Sequence, residues 1–166
     1  MKTCRIIGLD PGLRTTGWGV IESEDNRLRH VAHGLIQADV TLDLPLRLCF
    51  IFEGIKKILA MYQPDEAAVE ETFMNVNPAS ALKLGQARGV ALLAPAVEGL
   101  VVAEYTANQV KKSVVGAGHA DKNQVIAMVG LLLPGSGPMK SDSADALAIA
   151  ICHAHFRTTH KKWEVA

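Results

Sequence analysis

Ile6-Ile7-Gly8-Leu9-Asp10-Pro11-Gly12 is an apolar run that ends on a carboxylate and a turn. A short uninterrupted run of this kind, closed by Pro-Gly, reads as a buried strand over residues 4–10. Asp10 then sits at the edge of a core rather than out on a solvated face. Moving outward, Thr16-Gly17-Trp18-Gly19-Val20-Ile21 reads as a second strand, Glu24-Asp25-Asn26 as a turn, and His30 to Gln37 as a third strand. The first forty residues are therefore a β-meander.

The period then changes. Leu44, Leu48, Phe52, Ile55, Ile58, Leu59 and Tyr62 recur every three or four residues, as in an amphipathic helix, which Gln63-Pro64-Asp65 ends. Ala67 to Thr72 is a fourth strand. Asn77-Pro78 places a capping side chain before a proline at the first helical position. The helix it opens is expected to run to about Glu98, with Pro95 as a point of early termination or kinking. Val101 to Tyr105 is a fifth strand. Two short helices near 107–115 and 121–133, the loop Pro134-Gly135-Ser136-Gly137-Pro138 and a helix from Ser141 to about Phe156 complete the chain. The sum is an α/β fold, a five-stranded mixed sheet with its first three strands antiparallel and helices packed on it. Residues 1–157 are expected to form one domain and 158–166 a polar, frayed tail.

Four acids stand out in this frame: Asp10, Glu70 in Ala67-Ala68-Val69-Glu70, and Asp142 and Asp145 in Ser141-Asp142-Ser143-Ala144-Asp145. Asp142 and Asp145 are neighbours on one helix face, and the helix dipole eases two adjacent negatives near its start. Asp145 lies in a segment that is apolar nearly all round, where a lone buried aspartate is costly unless paired or metal-bound. Strand alternation puts Asp10 on the side of Ile6 and Gly8, and a fourth strand beside the first would bring an acid next to it. Alternation leaves open whether Glu70 or Glu71 faces the site. Hard oxygen donors on rigid elements suit Mg²⁺. Four in one place would hold two ions, the equipment for hydrolysing a phosphodiester by in-line displacement.

Composition sets the bounds. The chain has 166 residues, is 49% hydrophobic, and carries 17 basic and 17 acidic residues for a formal net charge of zero. Neutrality is unusual for a nucleic-acid binder, but metal ions on four of the acids would leave a basic excess. Lys83, Arg88, Lys111, Lys112, Lys122, Lys140, Arg157, Lys161 and Lys162 all fall in the second half, and several could line a groove. There is no apolar run long enough for a transmembrane helix and no signal-peptide pattern. Cys4, Cys49 and Cys152 are scattered and read as reduced thiols of a cytoplasmic protein. The six histidines form no ligand set.

Taken together these segments resemble the RuvC family of Holliday-junction resolvases, in the RNase H-like superfamily. The resemblance rests on Gly8-Leu9-Asp10-Pro11-Gly12, Thr16-Gly17-Trp18-Gly19-Val20, Glu70 with Phe73-Met74, Ser80-Ala81-Leu82-Lys83-Leu84-Gly85-Gln86-Ala87-Arg88-Gly89, Gln109-Val110-Lys111-Lys112 with Val115-Gly116, and Asp142-Ser143-Ala144-Asp145-Ala146-Leu147-Ala148-Ile149-Ala150. It implies a homodimeric, Mg²⁺-dependent endonuclease, with Mn²⁺ as a substitute ion. Such an enzyme nicks a four-way DNA junction at two symmetric positions during recombination and repair. It leaves 5′-phosphate and 3′-hydroxyl ends and works beside a branch-migration motor complex. It favours Glu70 over Glu71 and assigns metal binding and catalysis to Asp10, Glu70, Asp142 and Asp145. It places Lys111 and Lys122 at the scissile region and Phe73 against bases at the junction centre. Lys83 and Arg88 are further expected DNA contacts.

A symmetric junction calls for two sites related by a two-fold axis. The small residues Ala79, Ala81, Gly85, Ala87, Gly89 and Ala91 make the helix from Pro78 the expected dimer interface. Other readings differ in substrate or class. An RNase H-like nuclease could act on RNA–DNA hybrids or ribosomal RNA. Asp10-Pro11-Gly12 loosely resembles the phosphate loop of actin-like ATPases, although the chain is too short for their duplicated domain. A non-catalytic junction binder would gain nothing from four carboxylates facing a polyanion.

Overall fold

The computed structural model describes residues 2–71 and 77–164, with side chains described through residue 158. Five strands form one sheet in the order β3-β2-β1-β4-β5. They are β1 (Cys4–Asp10), β2 (Thr15–Glu24), β3 (Arg27–Gln37), β4 (Glu66–Glu71) and β5 (Val101–Thr106). The first three are an antiparallel meander, while β1–β4 and β4–β5 are parallel. Mixed pairing follows from the connections. Short turns join the meander strands, whereas β4 and β5 are each reached through a helix, as parallel neighbours require.

Helix α1 (Leu44–Tyr62) ends where Gln63 adopts a left-handed conformation ahead of Pro64. Helix α2 (Pro78–Val97) is capped by the Asn77 side chain, which accepts from the backbone of Ala79 and Ser80. Pro95 neither ends nor breaks it early, because only two residues follow before the helix stops at Val97. Helices α3 (Ala107–Val115) and α4 (Lys122–Leu132) each begin with a complete capping box, Thr106 with Gln109 and Asp121 with Gln124.

Strand alternation divides the core in two. Ile7, Leu9, Val20, Ala67 and Val69 face α1 and α2, where they meet Ile51, Ile55, Ala91 and Ala94. Ile6, Ile21 and Ala68 face the opposite side, where Leu147, Ala148, Ile151 and residues of α3 and α4 cover them. Burying each Ile, Leu or Val among them contributes about 1.5–3 kcal/mol.

The last helix corrects one expectation. Helix α5 runs from Ser141 to Glu164 instead of fraying after Phe156. Arg157 is the reason at its near end. It donates to both oxygens of Glu66 on β4 at 2.9–3.1 Å. A second correction concerns α2. Ala87 and Ala91 are fully buried on the chain's own core. The exposed positions are Pro78, Ala79, Ser80, Leu82, Lys83, Gly85, Gly89, Leu93, Ala96 and Val97.

Candidate active site

Two glycines set how closely α5 can lie on the sheet. A Cβ at Gly8 would collide with the backbone of Ala146 and Ala150, and one at Gly17 with the backbone carbonyl of Asp142. With hydrogens there instead, the helix backbone rests directly on β1 and β2. The start of α5 thereby reaches the end of β1. In the sequence the two glycines show only as small residues inside strand patterns near Asp10; the fold pairs Gly17 with Asp10 across β1 and β2.

That docking brings three of the four acids together. One carboxylate oxygen from each of Asp10, Asp142 and Asp145 lies within 4.8 Å of the others, and all three residues are half-buried. Glu70 stands just outside this tight group. Its β4 neighbour Val69 pairs with Leu9, which puts Glu70 beside the end of β1. Glu70 and Asp145 both line a cavity of about 420 Å³. Glu71 is exposed, whereas Glu70 is half-buried, so the ambiguity between them is resolved toward Glu70.

The electrostatics are those of a site short of positive charge. Burial, then Asp145, Glu70 and Asp142, push the Asp10 carboxyl up to about 8, against a smaller opposing pull from Lys122. Burial and the charge of Asp145 raise Glu70, opposed by Lys111. Burial and Asp142 raise Asp145, opposed by Lys122 and Lys111. Among the described residues none of the four acids forms an ion pair with a basic side chain. Carboxylates held together with their charge uncompensated fit a divalent cation, which would supply what the protein withholds.

The basic residues sort differently. Lys111 of α3 and Lys122 at the start of α4 line the same cavity as Glu70 and Asp145, over an apolar floor of Val110, Val125 and Ala148. Arg88 is turned inward. Its Nε donates to the Glu70 carbonyl at 3.3 Å and its guanidinium pairs with Glu104. Lys83 is exposed on α2 and is not among the cavity residues. Phe73 lies outside the described residues.

A family description, "Crossover junction endodeoxyribonuclease RuvC", matches residues 6–153. The chain belongs to the RuvC family. A RuvC from Paramagnetospirillum magneticum is 61% identical over 158 residues, covering 95% of each chain. One from a Bradyrhizobium species is 61% identical over 153 residues, or 92% of this chain and 87% of that one. Among solved structures, Thermus thermophilus RuvC in complex with a Holliday junction substrate superposes with a TM-score of 0.87. It is 31% identical, and the match covers 95% of this chain and 96% of that one. This RuvC chain is thus a crossover junction endodeoxyribonuclease with the RNase H-like sheet of its relatives. Its acidic cluster is compatible with divalent metal binding. Among its described residues no helix is long and apolar enough to cross a membrane.

Proposed function

We propose that Asp10, Glu70, Asp142 and Asp145 together hold two Mg²⁺ ions, and that with them the protein cuts four-way DNA junctions by paired symmetric nicks. The observation behind this reading is the convergence of three aspartates within 4.8 Å beside Glu70, with Asp10 pushed up to about 8. When bound, the ions would lower the pKa of an attacking water and offset charge on the leaving 3′ oxygen. The four carboxylates, on β1, β4 and α5, would hold the ions. Lys111 and Lys122 place fixed positive charge beside the site, where the phosphate gains negative charge in the transition state. The junction is the proposed substrate because Thermus thermophilus RuvC, so similar in fold, was solved with one. The proposed setting is the cytoplasm, beside a branch-migration motor, and this part rests on family membership alone.

The working unit is proposed to be a homodimer. Leu82, Gly85, Gly89 and Leu93 form an exposed stripe at three- and four-residue spacing on α2, and nothing lies within 4 Å of a Cβ added at Gly85 or Gly89. Gly89→Arg should give monomers in sedimentation; a persistent dimer would move the interface elsewhere.

The deciding experiment compares a synthetic four-way junction with linear duplex and RNA–DNA hybrid, in Mg²⁺ or EDTA, with Asp10→Asn as control. Symmetric Mg²⁺-dependent nicks confined to the junction are expected. Preference for the hybrid would overturn the substrate, and cutting by Asp10→Asn would overturn the metal site.

A further inference from the structure

We infer that Arg88 is a positioning residue for Glu70, holding the end of β4 at the distance the acidic cluster needs. This rests on the proposed role of Glu70 itself.

The need for such a residue follows from the sheet. The β1–β4 ladder stops at Leu9 and Val69, one residue short of Glu70. On the β5 side pairing continues through Glu70–Tyr105 and Glu71–Thr106. Glu70 therefore sits on a strand end that one neighbour has already released. A carboxylate on a half-paired strand end would swing with its backbone, and repulsion from Asp10 and Asp145 would drive it outward.

Arg88 closes that gap from α2. Its Nε donates to the backbone carbonyl of Glu70 at 3.3 Å, and the same guanidinium pairs with Glu104 on β5. Only 20% of the Arg88 side chain is exposed, against 45% for Glu104. One planar group thus ties α2, β4 and β5 at a single point. A guanidinium can do this because its donors diverge in a fixed fork; an ammonium is a point charge that cannot replace that geometry. With its Nε and one Nη engaged and only 20% of its side chain exposed, Arg88 is poorly placed to meet a phosphate. This is why its expected place among the DNA contacts gives way to a place behind Glu70.

The test uses the full chain with Arg88→Ala, Arg88→Lys and Glu104→Gln, and with Glu70→Gln as reference. For Arg88→Ala, single-turnover cleavage of a four-way junction should fall about 10–100-fold, the range for residues that orient a metal ligand. The half-saturating Mg²⁺ concentration should rise, and junction affinity should stay within about twofold of the wild type. Without DNA, the rise in Tm on adding Mg²⁺ should shrink. Arg88→Lys should restore little, and Glu104→Gln should be milder than Arg88→Ala, because the bond to Glu70 survives it. Weakened junction binding with unchanged cleavage at saturating DNA would make Arg88 a DNA contact and overturn the inference. So would a lower Tm with unchanged rate and Mg²⁺ midpoint. If Arg88→Ala does not fold, Arg88→Lys and Glu104→Gln are read by the same criteria. Normal cutting by Glu70→Gln would remove the underlying role of Glu70. A dead Glu70→Gln beside a normal Arg88→Ala would sink this inference alone.

Discussion

The two ends of β4 carry the same residue in opposite states. Glu66 and Glu70 lie four apart on one strand, so both point toward α5. At the first end, His153 lies 2.6 Å from Glu66 and Arg157 forks onto it, while Tyr105 bonds the far side of His153 at 2.7 Å. Burial alone would raise that carboxyl, but the bonds from Arg157 and His153 outweigh it and hold it at about 2. At the other end, Glu70 meets Asp10 and Asp145, no basic side chain among the described residues is bonded to its carboxylate, and its carboxyl is raised. The same strand and helix supply both places. What differs is whether the chain neutralises the charge itself or leaves that to something it must bind. A paired carboxylate stabilises the fold, and an unpaired cluster stores repulsion that a cation can relieve.

The largest test of this contrast is in the rate. Asp145→Asn should lower junction cleavage by at least about a thousandfold, or ~4 kcal/mol of transition-state stabilisation, with junction binding retained. Glu66→Gln should cut at nearly the wild-type rate. Comparable losses from the two would erase the distinction between the ends.

Gly17→Ala should come next. Its new methyl group would meet the Asp142 carbonyl and lift the start of α5 off β2. Misplacement on the order of 1 Å can lower a rate about 100-fold. Circular dichroism should confirm that the variant is folded. Wild-type cutting by a folded Gly17→Ala would show that α5 tolerates a shift at that contact.

The remaining tests read stability. Glu66→Gln should cost about 1–3 kcal/mol near neutral pH, because it removes the charge that Arg157 pairs with and turns one of the two accepting oxygens into a donor. The folded Glu66 carboxyl lies below its ordinary value of 4.5, so its contribution is present above about pH 4.5 and is lost as pH falls toward 2. Chemical denaturation across that window should show a flatter pH dependence in the variant. Asp10 has the reverse sign. Its folded carboxyl is near 8 against an ordinary 3.8, so the metal-free protein loses stability as pH rises from about 4 to 8. In EDTA, Asp10→Asn should therefore melt higher than the wild type, with the gap widening over that range. Added Mg²⁺ should reverse the ranking. An Asp10→Asn protein no more stable than wild type in EDTA would mean that the cluster stores no repulsion.

The four acids were legible because each stands where hydrophobic periodicity breaks, and periodicity is a local property. The five strands, the antiparallel meander and the mixed sheet followed from the same pattern. The rest depended on partners distant in sequence. Arg157 looked like one more basic residue for a groove because its acceptor, Glu66, is 91 residues away. Arg88 looked like a spare cation, since nothing in Gln86-Ala87-Arg88-Gly89 points to Glu104. Ala87 looked like an interface residue, because a small side chain fits a foreign helix and the chain's own core equally well. Gly8 and Gly17 read only as strand residues, and the docked helix shows that they are contacts.

Two of the four carboxylates ride on α5, the last helix in chain order, while the other two belong to strands made much earlier. During synthesis the meander and β4 can form before Asp142 and Asp145 have left the ribosome. Until α5 seats against Gly8 and Gly17, half of the acidic cluster is missing. A nascent or partly folded chain should therefore be unable to cut DNA, and nuclease activity should appear only once α5 is seated.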